Sequence, residues 1–195
     1  SVNVKFYFQD KMKTNSSVKL NIKTDKGVIN KKFTIRKGQL SSSFNVSIPD
    51  MRLWSLDDPY LYKVEASLDD DQVESYFGMR KVSVVNLPDS EFPYVALNNK
   101  PIYLQFALDQ SYHQDGFYTF PTDQFMKEEI IRSKSIGLNG IRIHIKTEIP
   151  RKLYWADKLG LLVVEDLPNS WGEPNKLMKA ESEYTLRQMI KRDYN

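Results

Sequence analysis

Apolar and polar residues alternate with period two through most of the first eighty or so residues of this chain. The segments VNVKFYF, SVKLNIKT, VINKKFTIRK, SSSFNVSI, YLYKVEASL and QVESYFGMRKVSVV each put apolar side chains on one face and polar ones on the other. Turn-forming residues separate them, at Lys26-Gly27, Lys37-Gly38 and Asp69-Asp70-Asp71. About seven short strands in that length predict a β-sandwich of the immunoglobulin-like kind over residues 1–86, with no disulfide required. Trp54 and Pro59, in the connection before the last hairpin, are expected to be core packing that fixes a loop. Residues 86–96, NLPDSEFPYVA, read as a linker or a lead-in strand, because two prolines limit regular pairing.

Beyond that point the period changes. PIYLQFAL (101–108) reads as a buried strand. Thr122 can cap a helix over 123–136, with Asp123 in its first turn and Gly137 as terminator. Met126, Ile130 and Lys134 share one side of that helix, and Phe125, Ile131 and Ile136 broaden the apolar stripe. Residues 137–168, GLNGIRIHIKTEIPRKLYWADKLGLLVVEDLP, then read as strand, helix, strand. In GIRIHIK, Ile141, Ile143 and Ile145 alternate with Arg142, His144 and Lys146, predicting a strand over 140–146 with one apolar and one basic face. Pro150 suits the first position of a helix over 150–159, and Gly160 suits its end. LLVV is a continuous apolar run, as in a strand buried on both faces. Its carboxyl end carries Glu165 and Asp166, where α/β enzymes bind ligands. A last amphipathic helix is predicted over 175–191 on Met178, Leu186, Met189 and Ile190. Helices are expected only after about residue 120.

Composition narrows the function classes. The 195 residues carry a net charge of +3, with 41% hydrophobic and 27% charged residues, which is ordinary for a globular protein. The Lys and Arg are scattered and the net charge is small, so no nucleic-acid partner is expected. No apolar run reaches membrane-spanning length and no signal peptide is visible, so no membrane partner is expected. Zero cysteines exclude disulfides and thiol chemistry, and two histidines without cysteine argue against structural zinc. The compartment stays open, with the periplasm or the exterior favoured over the cytoplasm.

Several ordered motifs carry a family resemblance. N-x-I-R followed by WADKLGLLVVEDLP, with LWSLDDPYLY (53–62), FGMR (77–80) and LNNKPIYLQ (97–105) upstream, resembles the glycoside hydrolase family 2 enzymes, which include β-galactosidases, β-glucuronidases and β-mannosidases. The resemblance covers residues 50 to 195 well and the first fifty by position. It implies a multidomain β plus α/β fold, with the sandwich followed by an incomplete (β/α)8 barrel of about three β/α units over 87–195. Three units leave an open sheet edge, so self-association through that edge is expected. The resemblance also implies retention at a terminal β-linked sugar, with a carbohydrate substrate and no organic cofactor. Such chemistry needs two carboxyl groups roughly 5–5.5 Å apart. In the family both are glutamates at the ends of barrel strands four and seven. IKRDYN resembles the family's approach to strand four, so both glutamates are expected downstream and this piece is expected to be inactive. Glu165 and Asp166 cannot substitute, because neighbours on one strand point to opposite faces.

The same resemblance assigns supporting residues. Arg142 matches the family's strand-two arginine beside the catalytic carboxylates, where a guanidinium can hold a carboxylate ionised and oriented. An ion pair with Glu165 or Asp166 is its alternative use. The family's active-site histidine position falls at Ile145, whereas alternation puts His144 on Arg142's face; a pocket role and a structural role both remain open for His144. Lys146 completes that face and can meet a sugar hydroxyl or carboxylate, or lie in solvent. Asp109 and Gln110 begin the loop after strand one, where β-galactosidases usually carry Asn and His. Tyr112, Phe117 and Tyr118 give that loop flat apolar surfaces on which a sugar ring can stack, and Trp171 offers another. Asp166 sits at the strand-three acid position, but one acid without a second ligand predicts no metal. Two rivals remain. A non-catalytic carbohydrate-binding or adhesive module would place function on the sandwich. A phosphate-binding barrel would need the Gly-rich anion loop that this sequence lacks.

Overall fold

Period-two segments become strands along the first part of the chain, and no helix precedes Asp123 among the described residues. The computed structural model describes residues 1–88, 90–168 and 171–193. They form two compact units: Ser1–Arg52 with Leu61–Met79, and Leu53–Tyr60 with Arg80 onward.

The first unit is all β. Strands β1 (Val2–Tyr7) and β4 (Ser41–Val46) pair antiparallel, and β2 (Ser16–Thr24), β3 (Gly27–Ile35), β5 (Tyr62–Leu68) and β6 (Asp71–Phe77) form a four-stranded antiparallel sheet in the order β3-β2-β5-β6. Alternation decides what is buried: Val18, Leu20 and Ile22 of β2 face inward while Lys19 and Lys23 face out. Phe44 of β4 stacks on Phe33 of β3 with ring centroids 4.1 Å apart, which ties the two sheets together. Gly27, at φ 136°, closes the β2–β3 hairpin, and Asp69, at φ 51°, lies in the β5–β6 turn.

The QVESYFGMRKVSVV segment splits. Its first half is β6, but its second half is β7 (Val82–Asn86), which pairs antiparallel with β8 (Pro93–Leu97) and through it with β9 (Lys100–Pro101). Residues 93–97 are therefore a strand, not a linker, and the division between units falls at Met79/Arg80 instead of residue 86. PIYLQFAL is likewise two strands. Pro101 belongs to β9, and β10 is Phe106–Asp109.

The α/β layer follows. β10, β11 (Gly140–Ile143) and β12 (Leu162–Glu165) run parallel in that order, connected by α1 (Asp123–Ser135) and α2 (Pro150–Leu159). Thr122 caps α1 by accepting the Phe125 N–H, as its residue type predicts. Ile141 and Ile143 turn inward onto Met126, Ile130, Trp155, Ala156 and Leu161, the core of this layer. Ile131 and Ile136 do not widen the α1 stripe as expected; both are exposed. α3 (Lys176–Asp193) buries Met189 alone, and Leu186 and Ile190 of its predicted apolar face stay exposed.

A strap from the connection between β4 and β5 belongs to this second unit. Trp54, 2% exposed, donates Nε1–H to the Asp157 carbonyl oxygen at 2.6 Å, so it does fix a loop by packing. The Lys134 ammonium donates to the carbonyl oxygens of Leu56, Leu159 and Gly160, joining the strap to the end of α2. Gly160 is required there on two counts: its φ is 78°, and a Cβ would stand 2.3 Å from the Leu56 carbonyl oxygen.

Candidate functional site

Parallel register sets the site. Residues Leu108, Arg142 and Val164 stand side by side on β10, β11 and β12, and so do Asp109, Ile143 and Glu165 one step further on. Alternation sends the second set toward the α1 and α2 side and leaves Leu108, Arg142 and Val164 exposed on the opposite face.

Arg142 pairs with Asp166. Nε donates to Oδ1 at 3.0 Å and Nη2 to Oδ2 at 2.8 Å, a two-point contact along one edge of the guanidinium. Hydrogen bonding from Arg142 holds the Asp166 carboxyl below its usual value and raises the guanidinium in return. Of the two acids named by the sequence, Asp166 is thus the ion-pair partner. The other edge of the guanidinium is not used in that pair, and the side chain is 52% exposed. Five N–H donors in a planar fork allow one arginine to serve two carboxylates.

The strand does not run on to Lys146 as expected, so alternation does not set the direction of the Lys146 side chain. The strand ends at Ile143, and Ile145 turns to φ 45° with its side chain exposed. The His144 N–H still donates to the Asp109 carbonyl oxygen as the last bond of the ladder, whereas the Ile145 N–H goes to Asp166 Oδ2, so the pairing goes no further. The His144 ring lies beside the Gln110 amide, with Nδ1 and Nε2 3.3 Å apart.

Lys146 instead joins a buried ionic network that the sequence reading did not name. Lys152, 1% exposed, reaches Asp109 Oδ2 at 2.5 Å, Glu129 Oε2 at 3.1 Å and Glu148 Oε2 at 3.9 Å. Glu148 is fully buried; its Oε2 accepts the Ser111 hydroxyl and its Oε1 accepts the Ile149 N–H. Asp109 Oδ1 accepts the Ser111 N–H at 2.7 Å. The Lys146 ammonium lies 3.5 Å from Glu148 Oε1 and donates to the Ser111 carbonyl oxygen at 3.2 Å. One signal could have found Lys152: it shares the α2 stripe with Trp155 and Ala156, and a lysine on an apolar stripe must bring partners with it.

Glu165 faces the same region from β12. Its Oε1 accepts the Glu148 N–H at 2.8 Å, and Arg192 of α3 lies 3.9 Å away. Burial, reinforced by the neighbouring Asp193 charge, pushes the Glu165 carboxyl above its usual value. The folded state then holds this proton to higher pH than the unfolded chain, so the group erodes stability as pH rises above the ordinary carboxylate range. Glu165→Gln keeps the acceptor for the Glu148 N–H. Urea unfolding should show it more stable than the parent at pH 7 and equal to it near pH 4; a gap independent of pH would contradict this.

The loop after β10 carries the aromatic residues. His113 and Phe117 exchange backbone hydrogen bonds of 2.8 Å each, closing a tight turn. Tyr112 meets the edges of Phe117 and Tyr118 at 5.9 and 6.2 Å, and all three rings are exposed. Trp171 is fully exposed, and no contact joins it to Arg142 or Lys146 among the described residues. The structure therefore gathers Asp109, Arg142, His144, Lys146 and Asp166 at the carboxyl ends of three strands, with Tyr112 on the adjoining loop. Among the described residues, no cluster of His, Asp and Glu is placed to hold a metal, and no helix is long and apolar enough to cross a membrane.

Known proteins resemble this chain in sequence and in fold. Residues 1–80 match the family described as Glycosyl hydrolases family 2. A β-galactosidase of Thermoanaerobacterium thermosulfurigenes is 31% identical over 186 residues, spanning 91% of this chain and 25% of that protein. The chain is a relative of the family 2 glycosyl hydrolases. Two solved structures share its fold. A β-glucuronidase of Parabacteroides merdae superposes with TM-score 0.81 at 23% identity, over 93% of this chain and 23% of that one. A β-galacturonidase of Eisenbergiella tayi, solved with galacturonate bound, gives TM-score 0.79 at 20% identity, over 99% and 34%. The chain spans between 12% and 27% of the length of the curated relatives it matches.

Proposed function

We propose that this chain is part of a retaining glycoside hydrolase that cleaves terminal β-linked sugars, β-galactosides first among them. The observation that carries the reading is the likeness to a β-galactosidase, which runs through both units in one order over 91% of the chain. In this reading the first unit is an immunoglobulin-like sandwich, and the parallel sheet with α1 and α2 is the opening of a (β/α)8 barrel. Its covered face is the barrel's outer side, and the exposed row of Leu108, Arg142 and Val164 faces the lumen. Arg142, paired with Asp166, orients a catalytic carboxylate contributed by a later strand. His144 and Lys146 line the sugar site, Asp109 supports it from the helix side through Lys152 and Ser111 instead of lining it, and Tyr112 and Trp171 offer stacking surfaces. A cut copy of the barrel would expose its open sheet edge and associate through it.

Two assays test this. The full-length protein that contains this chain should release p-nitrophenol from p-nitrophenyl β-galactoside, and the 195-residue piece should release none. Cleavage only of the β-glucuronide or β-mannoside would move the substrate within the family. No cleavage of any aryl glycoside, with saturable binding of polysaccharide, would favour a non-catalytic carbohydrate module instead.

A further inference from the structure

Among the described residues of the second unit, Glu148, Ser111 and Lys152 are the buried polar and charged side chains, yet none of them lines the sugar site in the glycosidase reading. Their arrangement has a direction. Lys152, held by Asp109 and Glu129, stands beside the carboxylate of Glu148 and the hydroxyl of Ser111. Ser111 donates its hydroxyl to Glu148 Oε2, and its φ of 50° shows the backbone bent to bring it there. Glu148 is thereby fixed on one oxygen by Ser111 and on the other by the Ile149 N–H. Two groups lie against Lys146: Glu148 Oε1 at 3.5 Å and the Ser111 carbonyl oxygen at 3.2 Å. The Tyr118 and Phe120 rings flank the same ammonium, with centroids at 5.5 and 5.6 Å. The Lys146 side chain is 14% exposed, so a flexible four-carbon cation is held in one place at the mouth of the sheet.

We infer that Glu148, braced by Ser111 and Lys152, is a positioning residue that sets the Lys146 ammonium for contact with a sugar hydroxyl. The ammonium has three N–H donors: one is given to the Ser111 carbonyl oxygen, a second side faces the Glu148 carboxylate across 3.5 Å, and a third remains. Glu148 also balances its charge, so the acceptor suited to the third donor is a neutral hydroxyl and not a second carboxylate. An unheld lysine would spend its freedom in solvent; a held one contributes a charge-assisted hydrogen bond without the ordering cost.

This role rests on the glycosidase reading, and the test separates the two. In the full-length protein, assayed on the p-nitrophenyl β-glycoside it cleaves best, Lys146→Ala should raise KM roughly tenfold with kcat little changed, the signature of lost uniform binding. Glu148→Gln should raise KM in the same way, and the double variant should add little to Lys146→Ala alone. Additive effects, or an unchanged KM in Glu148→Gln, would overturn the inference. A second arm needs no activity: reductive methylation with formaldehyde and a borane, mapped by mass spectrometry. Lys146 should be labelled slowly in the parent and at least fivefold faster in Glu148→Gln, with exposed Lys158 unchanged in both. Equal labelling of Lys146 in the two proteins would overturn the positioning role. If Glu148→Gln fails to fold, Ser111→Ala, which removes only the hydroxyl bracing Glu148, decides by the same two readouts. A parent protein without hydrolytic activity would overturn the glycosidase reading, and the labelling arm would then decide the positioning role alone.

Discussion

Lys152→Ala should destabilise the second unit by about 3–5 kcal/mol, the scale on which breaking a buried ion pair leaves charge uncompensated. Lys152 is 1% exposed and is the cation nearest to Asp109 and Glu129, with Glu148 next. Removing it strands up to three carboxylates, two of them only partly open to water. Lys152→Met separates charge from volume: it restores the apolar stem, so whatever cost remains is electrostatic. Adding Asp109→Asn and Glu148→Gln to Lys152→Met should recover a large part of the loss, because buried charges replaced together by neutral groups cost little. Urea unfolding followed by tryptophan fluorescence reports it, since Trp54 and Trp155 are buried in this unit. A midpoint within error of the parent in Lys152→Ala would sink the idea, and so would a triple variant no better than Lys152→Met.

Periodicity made the fold legible wherever one face of an element was buried. The strands of the first unit and helices α1 and α2 lie within a residue or two of the positions that alternation, Thr122, Pro150, Gly137 and Gly160 predict. Legibility failed where a segment keeps its pattern across a change of sheet. QVESYFGMRKVSVV alternates through Gly78 and Met79, but β6 and β7 pair with different partners, and period alone carries no information about partners. It failed again at Ile145, whose apolar side chain continues the alternation although the backbone leaves the ladder two residues earlier. Within the site, Arg142 and Asp166 were legible because a motif names them. Glu148 and Lys152 were not. Glu148 and Lys152 lie one turn apart at the start of α2, and only the packing of that stretch against the loop after β10 brings them to Ser111.

Arg142→Ala in the full-length protein should lower kcat about 10²-fold or more, the scale on which one preorganised electrostatic donor is lost. The argument starts from the geometry of the pair. Asp166 uses Nε and Nη2, which fixes the plane of the guanidinium and leaves its outer edge toward the exposed face of the sheet. A carboxylate brought to that face by a later strand would meet a rigid, always-charged fork. Such a charge favours the ionised nucleophile and holds its orientation, without Arg142 acting as acid, base or nucleophile. Arg142→Lys should recover little, because a point charge on a flexible stem cannot serve two carboxylates in one plane. Asp166→Asn should give a smaller loss than Arg142→Ala, since the positive charge survives and only its anchor weakens. The fold should hold in all three, because a half-exposed pair contributes little to stability. The Asp166 carboxyl is held below its usual value, so the anchor persists through neutral pH and weakens only as acid protonates it below the ordinary carboxylate range. The pH–rate profile of Asp166→Asn should therefore match the parent's at neutral pH in shape, displaced downward. Arg142→Ala with normal kcat and KM would remove the residue from the mechanism. Loss of activity that follows loss of folded protein, read by circular dichroism at the assay temperature, would make the pair with Asp166 structural instead.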